Sequence, residues 1–108
     1  MTWREVCSLD RLTPNRGVAA LLDDRQVAVF LVEPGAELLA IDNVDPFTGA
    51  AVLSRGIVGS AGDVLTVASP VHKQRFDLRS GRCLDDPDVV VTTFPARVVD
   101  DRVEVLTR

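Results

Sequence analysis

Along much of this chain apolar residues recur at every second position, in short runs separated by Gly, Asp, Asn and Pro. That period sends successive side chains to opposite faces of an extended backbone, so each run reads as a strand. The pattern predicts strands at 3–7, 18–22, 26–32, 37–41, 64–68, 75–77, 96–99 and 102–106. No stretch holds a helical i, i+3, i+4, i+7 stripe beyond two turns. The expected fold is therefore all-β, an antiparallel β-sandwich or partly open barrel. Asp23-Asp24 and Asp100-Asp101 join apolar runs as hairpin connections, and Ser80-Gly81 adds a residue that accepts positive φ without Cβ strain. Residues 50–55, ending at Gly56, suit a brief helical turn, because Gly is the usual residue just past a helix C-terminus. Pro34-Gly35 and Pro87 are single breaks, and with no internal repeat or linker the chain reads as one domain, 1–108.

Composition agrees with a folded domain: 46% of the 108 residues are hydrophobic and 26% charged. A net charge of −4 argues against nucleic acid as a partner, since phosphate binding draws on clustered Lys and Arg. The opening Met1-Thr2-Trp3-Arg4-Glu5 lacks a secretory pattern, and no apolar run approaches the roughly 20 residues of a membrane span. A cytoplasmic protein without membrane contact is expected. Cys7 and Cys83 lie too far apart for a thioredoxin motif or zinc knuckle. In the cytoplasm they are expected as reduced thiols, with a single disulfide between them left open.

The segment 40–87 holds the most information, and it resembles a Rieske domain. In that family two loops each supply one Cys and one His, as C-x-H and C-P-x-H. The surrounding frame is matched here by Gly49, Leu53 and Gly56 after the first loop, and by Pro70, Phe76, Asp77, Leu78, Gly81, Leu84 and Pro87 after the second. The ligands are not. Asp45 stands at the first Cys position, Phe47 at the first His and Ser69 at the second Cys, and only His72 matches. A Rieske centre needs two thiolates on one iron and two imidazoles on the other. Asp and Ser offer no soft sulfur donor and Phe offers none at all. The resemblance therefore implies a cluster-type loop subdomain, 40–87, that is empty, with no cofactor and no metal site in this chain.

Within that superfamily, the run Asp42 to Gly49, the run His72 to Leu78, Cys83-Leu84-Asp85-Asp86-Pro87, Phe94-Pro95 and Val98-Val99 resemble the small subunit of assimilatory NAD(P)H-dependent nitrite reductases. The resemblance implies a heteromeric oxidoreductase that takes nitrite to ammonium. Flavin, siroheme and an iron–sulfur cluster would sit in the large subunit, and this chain would be a non-catalytic accessory partner.

Phe47 is expected to be buried, filling the volume a cluster occupies in relatives. Its second reading is an exposed anchor for the large subunit. Asp45 before Pro46 is expected to accept backbone N–H bonds in a turn, and Ser69 before Pro70 to satisfy nearby amides. His72, the single histidine, reads as an ordinary hydrogen-bonded side chain or as an interface contact that titrates near neutrality. Phe47 with His72-Lys73-Gln74-Arg75 forms the preferred docking patch, against the plainer reading of 72–75 as a solvated turn. Asp85, Asp86 and Asp88 lack the spacing of a calcium loop, and no phosphate-cradling glycine motif occurs.

Two other functions remain open at this level. A cluster-free Rieske-like adaptor could serve a different reductase or oxygenase through the same patch. A hydrolase could use Ser69, His72 and Asp45 as nucleophile, base and orienting acid. It has no strained-nucleophile turn, and Pro70 removes an amide that an oxyanion hole would use. Contact between Ser69 Oγ and the His72 ring decides that reading.

Overall fold

The computed structural model of the protein describes residues 1–33 and 36–107, so the Pro34-Gly35 break lies outside the described residues. Ten strands run in chain order as β1 (Thr2–Ser8), β2 (Gly17–Leu22), β3 (Arg25–Val32), β4 (Glu37–Asp42), β5 (Ile57–Ala61), β6 (Val64–Ala68), β7 (Arg75–Asp77), β8 (Thr93–Phe94), β9 (Ala96–Val99) and β10 (Arg102–Thr107). They form three open antiparallel sheets, ordered β1-β10-β9, β2-β3-β4-β8 and β5-β6-β7. All eight expected strands are present, and the class is all-β.

Two strands carried no readable signal. β5 is the edge of its sheet and is mostly exposed, with Ile57 at 77%, so no alternation of apolar and polar residues records it. β8 has two residues, too few to show a period.

β3 makes the architecture. Val27 and Val29 face one buried cluster with Leu12, Leu22, Ala40, Phe94, Val103 and Val105. Ala28, Phe30 and Val32 face the other, with Ile41, Leu53, Val67, Phe76, Leu78, Cys83 and Val91. A strand apolar at both parities is buried on both faces, so the four-stranded sheet is a middle layer with a core on each side. Fully burying one such side chain stabilises by about 1.5–3 kcal/mol.

The Asp-Asp connections behave as their position requires. Asp23 and Asp24 have φ of 50° and 66°, and Asp100 and Asp101 have φ of 50° and 62°. Two successive positive φ values define the mirror-image turn whose twist suits a two-residue hairpin. The helical turn forms over Leu53–Arg55 as a 3-10 turn, shorter than expected. Gly56 follows it with φ −70°, outside the left-handed region. Glycine is needed there for space: a Cβ would lie 2.4 Å from the Ala68 carbonyl oxygen.

β4 pairs directly with β8, so residues 43–92 are an insertion between two neighbouring strands. Both loops singled out in the sequence belong to it.

Candidate functional site

The first loop leaves β4 through a chain of carboxylate and amide bonds. Val44 N donates to Asp42 Oδ1 at 2.9 Å, and Asn43 N donates to the Gln26 carbonyl at 2.8 Å. Asn43, 2% exposed, accepts Ser54 N on its side-chain oxygen at 2.7 Å and Leu53 N on its carbonyl at 3.0 Å. One buried side chain thus ties the loop to the turn that closes it. Asp45 follows, and its Oδ1 accepts Phe47 N at 2.8 Å while its carbonyl accepts Gly49 N at 2.7 Å. That is the turn geometry expected of an Asp before Pro.

The second loop connects β6 to β7. Ser69 N donates to the Gln74 carbonyl at 2.9 Å and Lys73 N to the Ser69 carbonyl at 3.0 Å, with Lys73 in the left-handed region at φ 63°. Ser69 Oγ accepts Val71 N at 3.3 Å, the local role expected of it.

The same Ser69 hydroxyl also donates to Asp45 Oδ2 at 2.6 Å. Asp45 is fully buried and Ser69 is 1% exposed, so the bond joins the two loops out of contact with water. Spacing along the chain showed no sign of this pairing, although both residue types were marked.

Phe47 corrects the expectation of burial. It is 38% exposed, and its ring leans on that of the buried Phe76 with centroids 6.2 Å apart. The Asp45–Ser69 pair, not the phenyl ring, occupies the buried junction between the loops. Val71, overlooked in the sequence, stands 45% exposed in the second loop. Its signal was an apolar residue between Pro70 and His72 with no alternating neighbours.

His72 and Lys73 are exposed. Among the described residues no hydrogen bond joins the His72 ring to Ser69, whose proton goes to Asp45, so no Ser–His–Asp relay is assembled. The cationic character of 72–75 is smaller than its sequence suggests. Arg75 Nη2 meets Asp85 Oδ1 at 3.2 Å, and Arg75 N donates to Asp85 Oδ2 at 2.8 Å. The guanidinium hydrogen bond, reinforced by the backbone one, holds the Asp85 carboxyl below its usual range, and the same contact raises Arg75. Gln74 is half-buried, and its Oε1 is buried without a hydrogen-bond partner.

Cys7 and Cys83 are both free. Cys83 lies inside the cluster around Phe30, while Cys7 packs at the margin of the opposite one, where burial pushes its thiol up. The middle sheet separates them.

The chain matches the Rieske-like 2Fe-2S domain family over residues 2–106. It is 43% identical over 103 residues to the NADH nitrite reductase small subunit of Escherichia coli (strain K12), covering 95% of each chain. A crystal structure described as an NADH-dependent nitrite reductase small subunit from Mycobacterium tuberculosis superposes with a TM-score of 0.92 at 51% identity, covering 96% of this chain and 93% of that one. This chain belongs to the nitrite reductase small-subunit family.

A member of that family is set within the wider Rieske-like group, whose description carries a 2Fe-2S cluster. The donors at the equivalent loops do not fit one. The two positions that would bear thiolates hold a carboxylate and a hydroxyl already bonded to each other, and the first imidazole position holds a phenyl ring, which has no donor atom. Among the described residues no group of three or more His, Cys, Asp or Glu side chains is placed to share a metal ion. No described helix is long and apolar enough to cross a membrane.

A 103-residue match at 40% identity also falls in the nitrite reductase (NAD(P)H) large subunit of Klebsiella oxytoca, covering 95% of this chain and 11% of that protein. There a domain similar to this small-subunit chain is part of the larger polypeptide.

Proposed function

We propose that this chain is the accessory small subunit of an NAD(P)H-dependent nitrite reductase, docking on and supporting a siroheme–flavin large subunit without a cluster or catalytic group of its own. The observation that carries the reading is the buried Asp45–Ser69 bond. In a cluster-bearing relative the metal cross-links the two loops; here a side-chain hydrogen bond does so. The loops keep the shape of a docking tip while the redox chemistry resides in the partner, with its flavin, siroheme and iron–sulfur cluster. The Klebsiella oxytoca protein supports the pairing, because a covalently joined domain must work beside the rest of its chain.

The tip suits docking. Phe47 and Val71 present apolar surface from the two bonded loops, with His72, Lys73 and Arg75 beside them. An aromatic anchor with a polar rim is the usual anatomy of an interface hot spot.

Nitrite consumption by the purified large subunit, driven by NADH or NADPH, is the test. Added chain is expected to raise the rate or the large subunit's stability, and Phe47→Ala to weaken binding about tenfold or more. A chain that neither binds nor changes either property ends the subunit reading. Stoichiometric iron with a thiolate-to-iron absorption band in the purified chain ends the cluster-free part alone.

A further inference from the structure

Five arginines on this surface are held in ion pairs. Arg4 meets Asp23, Arg75 meets Asp85, Arg79 meets Glu37, Arg97 meets Glu104 and Arg102 meets Glu5. Such pairing is expected where 16 acidic residues outnumber 12 basic ones. Outside these pairs, with Arg11, Lys73 and Arg82, stand Arg16 and Arg55. Both are exposed, and among the described residues neither enters an ion pair. They nonetheless line one open cleft of about 450 Å³.

Backbone packing brings them together. Each arginine precedes a glycine that has no room for a side chain. A Cβ on Gly17 would lie 2.3 Å from the carbonyl oxygen of Ser54, the residue just before Arg55, and one on Gly56 would lie 2.4 Å from the Ala68 carbonyl oxygen. The two guanidinium stems therefore rise from either side of a single backbone contact between the loop entering β2 and the 3-10 turn. Close packing makes that contact rigid. Ile57, 77% exposed, lines the same cleft.

Two guanidinium groups that line one cleft offer forked donors that match carboxylates. An apolar side chain beside them adds affinity only for a ligand with apolar surface of its own. We propose that this cleft receives an acidic peptide segment, with carboxylates on Arg16 and Arg55 and an apolar residue on Ile57. Resting on the small-subunit reading above, the segment belongs to the large subunit.

The first measurement titrates a short Glu-rich peptide containing one Leu into the isotope-labelled chain and follows backbone amide shifts. Saturable shifts at Gly17, Arg55, Gly56 and Ile57 are expected, lost in Arg16→Gln/Arg55→Gln. Inorganic phosphate serves as the comparison. No saturable shift at those amides, or shifts equal in size and midpoint with phosphate, overturns the proposal.

The second measures affinity for the large subunit at low and high salt. The double variant is expected to bind about tenfold more weakly at low salt, with a flatter salt dependence. Equal affinity and equal salt dependence for wild type and variant overturn the cleft's role while the small-subunit reading stands. Absence of binding by the wild type overturns that reading and the named partner, and the peptide titration alone then decides the cleft. Both substitutions are at exposed side chains, and Arg16→Lys/Arg55→Lys keeps the charge as a control for folding.

Discussion

The middle sheet and the two loop tips of the insertion between β4 and β8 are held by different forces. Around β3 the order comes from redundancy, because Val27 and Val29 on one face and Ala28, Phe30 and Val32 on the other each share a large apolar cluster. Any one contact there is one of many. At the loop tips the order comes from a few polar bonds without substitutes: Asn43 to Ser54, and Asp45 to Ser69. The first region resists local change and fails as a whole. The second is expected to loosen while the sheets remain intact.

The comparison breaks most severely at Phe30, which is fully buried between β3 and the insertion. Phe30→Ala is expected to cost about 3–5 kcal/mol and to lower the urea midpoint of the whole domain in one transition. A midpoint shift confined to the insertion, with the base unaffected, would show that the two regions fold separately.

Ser69→Ala probes the other side. It leaves the buried Asp45 without its hydroxyl donor, at an expected cost of about 1–3 kcal/mol. Hydrogen exchange should accelerate at Phe47 and Gly49, while amides of β3 change little. Uniform acceleration across β3 would remove the distinction between the regions. Asp45→Asn retains an acceptor for Ser69 and is expected to perturb the loops less.

The smallest effect concerns the surface pair that anchors Arg75. Asp85 has its pKa lowered by the Arg75 hydrogen bond, so its contribution is fully present above the ordinary carboxylate pKa of about 4 and is lost as pH falls through the lower folded value. The stability difference between wild type and Asp85→Asn should therefore shrink as solutions are acidified below about pH 4, and shrink further with salt. A difference that stays constant down to the acid transition would show that the ion pair contributes nothing. Because both side chains are solvated, the effect should be small.

Much of this could be read from the chain before folding was considered. A strand buried on one face is legible by its period of two, and β3, buried on both, by its unbroken apolar run. The Asp-Asp hairpins could be read because positive φ restricts residue type. The Rieske-like frame could be read because Gly49, Leu53, Phe76 and Gly81 occupy fixed places in a known pattern. β5 escaped because an exposed edge imposes no period. The partial exposure of Phe47 escaped because its identity as an aromatic does not say how much of the ring a loop leaves uncovered.

The Asp45–Ser69 bond joins residues 24 apart, and the Arg16–Arg55 cleft depends on Gly17 meeting Ser54. Neither has a local signature. The sequence by itself determined eight of the ten described strands, the Asp-Asp hairpins and the family, because each is written in nearest-neighbour patterns of hydrophobicity and backbone tolerance. Tertiary structure alone decided which polar groups meet, because hydrogen bonds and charge pairs act over a few ångströms of space and carry no period along the chain.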